Sequence, residues 1–381
     1  MKPALEILPV RTDAEMERFI RLPERLQGRD PNWVPPLRME RRQALSAKKN
    51  PFFQHAEVAF FLAIRDGRDV GRISTQQDRL APREADGSQP GHFGLLAAED
   101  DPAVYAALLG AAEAWCQARG STRVSGPYSL SINEETGLLV GGFDTPPMLM
   151  MPHDPPEAGA HLEALGYGAE QDLLAYRVDT VQPLPASTQN IVRRGLPEGV
   201  VLRPLRRKEL RAEIGRLVEI FNDAWSNNWG FVEMTPEEID AMAEALKPLL
   251  HERLIWFAEK DGRPVAFAVC LPNLNEAIRD LGGALLPFGW AKLLWRLKVK
   301  GVASGRVPLM GVRRDYGNTL PGRMLPLFIV DTLRREALAL GFHTIEMSWV
   351  LSTNIPMRRL AEAVGGTACK TYRVYGKALT A

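Results

Sequence analysis

The chain has 381 residues, 45% hydrophobic and 24% charged, with 47 Lys and Arg against 46 Asp and Glu. That length allows two or three domains with their own cores, and a net charge of +1 argues against a nucleic-acid partner, whose footprint is a basic excess. Cys116, Cys270 and Cys369 are far apart and form no CxxC, so no disulfide framework and no metal site are expected.

In chain order, a strand is predicted in ALEILPV near the start, followed by a helix over AEMERFIRLPERL capped by Thr12 or Asp13. AFFLAIRDGRDVGRIS places two apolar runs about an Asp-Gly pair, a strong hairpin signal. GHFGLLAA reads as a central strand leading into a long helix. STRVSGPYS reads as a parallel strand ending in LSIN at 130–133, and a last strand carries YRV at 176–178.

The same order then repeats. VVLRPLR opens the second half, residues 208–226 have helical spacing, and LIWFAEKDGRPVAFAV is a second Asp-Gly hairpin. RVPLMGV precedes a long helix, HTIEMSWV ends in LSTN at 351–354, and YRV recurs at 372–374. Asp66 and Asp261 are offset by 195 (261 − 66 = 195), the two Tyr-Arg-Val runs by 196 (372 − 176 = 196) and the two Asn of LSxN by 221 (354 − 133 = 221). One fold is therefore written twice, with extra residues before LSxN in the second half and after it in the first. The opening MKPALEILPVRTD lacks the apolar core of a secretory signal, and no apolar run reaches a membrane span. A cytoplasmic address is expected.

This order, a mixed sheet with a βαβ crossover at its centre, resembles the GNAT superfamily of acyl-CoA-dependent N-acyltransferases, in tandem. The resemblance implies an α/β (α+β) fold of two GNAT-like domains, each a mixed central sheet flanked by helices. The expected division is 1–180, a degenerate domain without a phosphate loop; a linker at 181–199; and 200–381, an acyl-CoA-binding domain with an amphipathic insertion at about 276–305. RDPNWVPPL, GLLVGGFDTPP, WSNNWGF and KTYRVYGK look similar to the bacterial ceramide-synthase-like group within this superfamily.

By that resemblance the CoA pyrophosphate meets the strand-to-helix junction MGVRRDYGNTLPGR, where a helix N-terminus with nearby glycines suits an anion. The implied contacts are Met310, Gly311 and Val312 along the pantetheine, and Arg313, Arg314, Gly317, Asn318, Thr319, Gly322 and Arg323 around the phosphates. Asn354 is implied beside the pantetheine amides. Of the usual R/Q-x-x-G-x-G/A loop only Gly322 matches. The first half has Glu99, Asp100 and Asp101 at the equivalent junction, which would repel pyrophosphate. An alternative for Asn133 and Asn354 is a helix cap.

The superfamily often uses a Glu on a central strand and a Tyr on the following helix. Neither is present in place here, and Glu346, Tyr372 and Tyr375 are the substitutes, with ion-pairing and packing as alternative roles. Trp225, Asn228, Trp229 and Trp349 are the implied acceptor contacts.

The insertion carries Trp290, Leu293, Leu294 and Leu297 at helical spacing, with no acid between Asp280 and Asp315. Trp290, Lys292, Trp295, Arg296, Lys298 and Lys300 are expected to touch an anionic membrane surface on its cytoplasmic face; a helix covering a sheet edge is the alternative. The function these readings imply is transfer of a long-chain acyl group from acyl-CoA, the co-substrate, to the amine of a sphingoid base or similar amino lipid. The competing classes are a non-catalytic acyl- or lipid-binding pair and an aminoacyl-tRNA-dependent ligase of the peptidoglycan-bridge type.

Overall fold

The Asp-Gly pairs turn as predicted. Asp66 and Gly67 have φ of 52° and 72°, and Asp261 and Gly262 have 50° and 81°, the left-handed pair that closes a two-residue hairpin. Thr12 caps Asp13–Gln27 in a capping box: its hydroxyl accepts from Glu15 N at 3.2 Å, while the Glu15 carboxylate accepts from Thr12 N at 2.9 Å. The computed structural model describes residues 5–379. Its strands are β1 (Leu5–Pro9), β2 (Ala56–Arg65), β3 (Arg68–Asp78), β4 (Gly91–Ala98), β5 (Arg123–Gly126), β6 (Leu138–Gly141) and β7 (Gly168–Asp179) in the first half. The second half contributes β8 (Val200–Pro204), β9 (Ile255–Lys260), β10 (Arg263–Pro272), β11 (Ser304–Val312), β12 (Thr344–Leu351) and β13 (Thr367–Ala378).

These strands form one mixed sheet in the order β1-β2-β3-β4-β5-β13-β7-β12-β11-β10-β9-β8, with β6 paired to β13 off that path. The parallel pairs are β4 with β5 and β11 with β12, each bridged by a long helix, Pro102–Gln117 or Leu320–Ala339. The tandem mixed-sheet class expected from the sequence is the class observed.

The last strands are exchanged between the halves. β13, from the second half, pairs with β5 of the first; β7, from the first, pairs with β12 of the second; and β7 and β13 lie side by side, antiparallel. Packing follows the exchange. Tyr375 of β13 is buried in the first-half core with Phe93, Leu108 and Val124, while Tyr176 and Val178 of β7 are buried in the second-half core with Val307 and Ile329. The intervening 181–199 contains a short helix, Ala186–Arg193, tied to the second half where Thr188 Oγ1 donates to Ala363 O at 2.5 Å.

Residues 1–180 expressed alone therefore lack the strand that lies between β5 and β7. Losing the burial of Tyr372, Val374 and Tyr375, at about 1.5–3 kcal/mol each, removes an amount comparable to the ~5–15 kcal/mol stability of a domain. Circular dichroism of 1–180 alone should show an unfolded or aggregating chain, and co-expression with 181–381 should recover a folded complex. A cooperatively folded isolated 1–180 would contradict the exchange.

Candidate active site

β11 and β12 are in register only from Ser304↔Thr344 to Val307↔Met347; beyond that rung β11 continues to Val312 and β12 to Leu351 without pairing to each other. The two parallel strands thus splay apart beyond that rung. At its base Arg306 faces Glu346, each only 1% exposed. Arg306 Nε donates to Ser348 Oγ at 2.9 Å and Nη2 to Ser348 O at 3.0 Å. Its Nη1 reaches Leu149 O of the first half at 3.1 Å. The guanidinium lies 4.5 Å from the Trp349 ring centroid. Ser348 Oγ donates in turn to Glu346 Oε1 at 2.8 Å. Burial pushes the Glu346 carboxyl above its ordinary range, opposed by the Ser348 hydrogen bond and the Arg306 charge, and lowers Arg306 to about 10.

A second buried cation, Lys370, donates to Thr145 O at 2.7 Å and to Gly142 O, so both buried cations hold the first-half loop 142–149 by its carbonyls. Burial lowers Lys370, with Glu346 acting the other way. Tyr372 is fully buried nearby; its hydroxyl and the indole N–H of Trp349 have no hydrogen-bond partner among the described residues. Burial, then the Glu346 charge, raises the Tyr372 hydroxyl well above its ordinary value. Glu346 and Tyr372 therefore share one buried cluster. Tyr375 lies apart, in the first-half core, donating to Glu163 Oε1 at 3.1 Å. Sequence reading missed Arg306, Ser348 and Lys370 as site residues; the available signal was Arg306, the one charged side chain of β11, whereas Lys370 stands in a strand that also carries Arg373 and Lys377.

The expected phosphate loop is folded on itself. A turn of helix, Arg314–Gly317, precedes the long helix. Gly317 N bonds Arg313 O, Asn318 N bonds Arg314 O, Thr319 N bonds Tyr316 O and Arg323 N bonds Thr319 O. Gly322 N bonds the Thr319 hydroxyl at 3.1 Å as a helix cap. A Cβ at Gly322 would overlap the Tyr316 carbonyl, so this glycine serves the approach of two helices. Arg313 is paired with Glu219 at 2.9 Å and Arg314 with Asp223 at 3.5 Å; Arg323 is exposed. Met310, Gly311 and Val312 lie along β11, and Met310 O accepts from the Trp225 indole at 3.0 Å, which puts Trp225 at the splay. Asn228 N closes a turn onto Trp225 O.

The two LSxN asparagines differ. Asn354 Oδ1 caps Ile355–Ala363 by accepting from Met357 N at 3.1 Å. Asn133 Nδ2 crosses to the second half and donates to Val232 O at 3.1 Å.

The insertion is a helix, Gly289–Trp295, continued by a π-helical turn, Arg296–Lys300. Leu286, Phe288, Trp290, Leu294, Trp295 and Val299 are exposed, at 80%, 78%, 53%, 51%, 52% and 72%. Two expectations need correction. Leu293 and Leu297 pack inward on the second-half core, so the outer face is not 290/293/294/297. Lys292 and Arg296 are both bound to Asp280, each with a contact of 2.5 Å, leaving Lys298 and Lys300 as the exposed cations of that turn.

Arg306→Met should cost about 3–5 kcal/mol, because it strands the buried Glu346 and Leu149 O. A carboxyl whose folded pKa is raised gains folded-state stability as pH falls through it, so the deficit should shrink toward acid pH. Urea unfolding at two pH values measures this; a deficit that grows on acidification contradicts the assigned pairing.

No family model matches the chain. It is 56% identical over 375 residues to the bacterial ceramide synthase of Caulobacter vibrioides (strain NA1000 / CB15N), covering 98% of each chain. It is 47% identical over 367 residues to protein YghO of Escherichia coli (strain K12), covering 95% of this chain and 93% of that one. Among solved structures, a tandem GNAT protein from the clavulanic acid biosynthesis pathway superposes with a TM-score of 0.57 at 13% identity over 99% of both chains. A GCN5-related N-acetyltransferase from Sphaerobacter thermophilus superposes at 0.51 and 15% identity, over 99% of this chain and 96% of that one. The chain belongs to the bacterial ceramide synthase family of tandem GNAT-fold acyltransferases.

Proposed function

We propose that this protein transfers a long-chain acyl group from acyl-CoA to the primary amine of a sphingoid base or similar amino lipid. The observation that supports this most is the near-full-length identity to a protein named a ceramide synthase. In the reaction the amine nitrogen attacks the thioester carbonyl, the new C–N bond replaces the C–S bond, one proton leaves nitrogen, and the CoA thiolate takes a proton.

The splay between β11 and β12 is the proposed seat of the thioester, with the start of Leu320–Ala339 and Arg323 toward the phosphates. This helix has no acid in its first turn. The first-half helix is capped by Asp101, with Glu99 paired to Arg25 and Arg68 just before it. Because the N–H groups of Gly317, Asn318, Thr319, Gly322 and Arg323 are already bonded, the polar work on the phosphates falls mainly to Arg323 and to Arg314, released from Asp223. Glu346 is the proposed proton acceptor, reached through the Ser348 hydroxyl, and Tyr372, kept protonated by burial, the proposed hydrogen-bond donor to developing negative charge.

Purified protein with a long-chain acyl-CoA and amines of increasing length tests this. Free thiol and amide should appear together, and turnover should rise with acceptor length, since each buried CH₂ contributes about 0.8 kcal/mol. Equal turnover of a short soluble amine contradicts the lipid reading; protection of acyl-CoA without thiol release favours a binding protein. Glu346→Gln should lower kcat by about 10²-fold or more. The wild-type rate should fall with acidification at a pH above the ordinary carboxylate range, because the base must be ionised and its pKa is raised. A Gln variant with wild-type kcat removes Glu346 from the mechanism.

No helix among the described residues is long and apolar enough to cross a membrane. The proposed membrane contact is peripheral, through the exposed apolar side chains of 286–299 with Lys298 and Lys300 beside them. Trp290→Ser with Trp295→Ser should reduce co-sedimentation with anionic liposomes, whereas Lys292→Gln should have little effect because Lys292 is already paired with Asp280. Undiminished sedimentation of the double variant contradicts this surface.

A further inference from the structure

Two polar atoms beside the splay are buried with nothing to bond: the indole N–H of Trp349 and the hydroxyl of Tyr372. A buried donor left unpaired costs about 1–3 kcal/mol, and orphans of this kind gather where a ligand supplies the partner. How the chain brings both to one face can be read from the strand register. Met347 pairs with Tyr176 and Val350 with Leu174, so Ser348 and Trp349 together oppose the single residue Ala175. Strict alternation would turn Trp349 to the same side as Met347; the extra residue re-aims it. Met347 and Val350 accordingly pack in the second-half core, whereas Trp349 and Leu351 pack on the opposite face with Leu173, Ala175 and Tyr372.

Tyr372 reaches that face from β13, where it pairs with Leu173, the residue that Leu351 opposes from the other side. The backbones of β12 and β13 are about 10 Å apart across β7, and the Ala175 methyl leaves the space above β7 to the two rings. Arg306 is common to both. Its guanidinium lies 4.5 Å from the Trp349 ring centroid, held there by Ser348 and Leu149 O. Burial raises the Tyr372 hydroxyl, the Glu346 charge adds to this, and the Arg306 charge opposes it. A cation over the indole face draws electron density from the ring and makes its N–H a stronger donor. Trp349 also stands two residues beyond the last rung, Val307↔Met347, on the strand that borders the splay.

We infer that Trp349 is a catalytic residue: its indole N–H, with the Tyr372 hydroxyl, receives the thioester carbonyl oxygen and the negative charge it gains. As the amine nitrogen bonds to the carbonyl carbon, the C=O π pair moves onto oxygen, where the two donors hold it. Return of that pair re-forms C=O as the C–S bond breaks and the thiolate leaves; both donors keep their protons. The inference rests on the acyltransfer reading, and it assigns Trp349 to the acyl donor in place of the amine. Arg306 is then a positioning residue for two groups at once, the donor indole and, through Ser348, the Glu346 base.

The test uses the full chain with a long-chain acyl-CoA analogue whose thioester is replaced by a ketone with an isotope-labelled carbonyl. Its infrared carbonyl stretch should move to lower frequency on binding, and Trp349→Phe and Tyr372→Phe should each lose part of that shift. Replacing Trp349 with benzothienylalanine, the isostere with sulfur in place of N–H, removes the donor while keeping the ring over Arg306. With the thioester substrate, Trp349→Phe and the isostere should each lower kcat by about 10²-fold, the scale of one oxyanion donor. Both KM values and the acid limb of the rate profile, set by Glu346, should stay in place. An unchanged kcat or an unchanged carbonyl stretch in the isostere overturns the donor role and leaves acyl transfer standing. A lowered kcat with a displaced acid limb means that Trp349 acts by packing on Arg306, and also overturns it. A carbonyl shift that depends on both residues, with no amide formed from any amine, keeps the donor pair and overturns the transfer.

Discussion

The exchange of β7 and β13 is the constraint on which the rest of this structure depends. A strand offers N–H and C=O groups along both edges, and those buried in a sheet must be paired. Here each half completes its own sheet only with a strand from the other, and the two exchanged strands pair with each other at the centre. The halves are therefore not two beads on a linker. The exchange brings Lys370 and Tyr372, carried on β13, to the loop 142–149 and to Glu346. It also brings Gln171, carried on β7, to Ser352 just past the end of β12. A site made from both halves is a consequence of connectivity.

Internal repetition makes the difference between the two splays interpretable. Ser125 and Glu346 are related by the same offset as the LSxN asparagines (346 − 125 = 221), and each is paired across a parallel rung, with His92 and with Arg306 respectively. An aromatic ring flanks each pair: Tyr128 at 5.1 Å from His92, centroid to centroid, and Trp349 at 4.5 Å from the Arg306 guanidinium. In the second half the pair is a buried guanidinium and carboxyl, tied to the first-half loop through Arg306. In the first it is neutral and opens on a cleft. One scaffold carries a buried centre in the second half and an open pocket in the first.

Much of the fold was legible because it rests on local signals: the Asp-Gly turns, the Thr12 cap, apolar alternation and the repeat order. The exchange was not legible, because the strands bearing Tyr176-Arg177-Val178 and Tyr372-Arg373-Val374 have the same alternation, and either pattern would complete either half. The site was legible only in part. Glu346 and Tyr372 are both buried near enough for the Glu346 charge to raise the Tyr372 hydroxyl, without a hydrogen bond between them, but Tyr375, three residues along the same strand, packs into the first-half core. Glycines at 317 and 322 suggested an open anion loop; Thr319 and the turn Arg314–Gly317 consume the N–H groups such a loop would offer, a hydrogen-bond question that glycine spacing does not answer. Lys292 and Arg296 looked free because the acid-free run was counted from Asp280 onward, and Asp280 is the acid that binds both. Asn133 and Asn354 share a motif and do different work, since only one is followed by a helix it can cap.

Native-state hydrogen exchange across β7 and β13 tests the central claim most directly. Amides of β13 that bond to β5, and amides of β7 that bond to β12, should belong to one slowest-exchanging class, with the same opening free energy and the same denaturant dependence in both halves. If β13 exchanged through an opening of the second half alone while β2–β5 stayed protected, the halves would be independent units, and a site shared between them through exchanged strands would be contradicted.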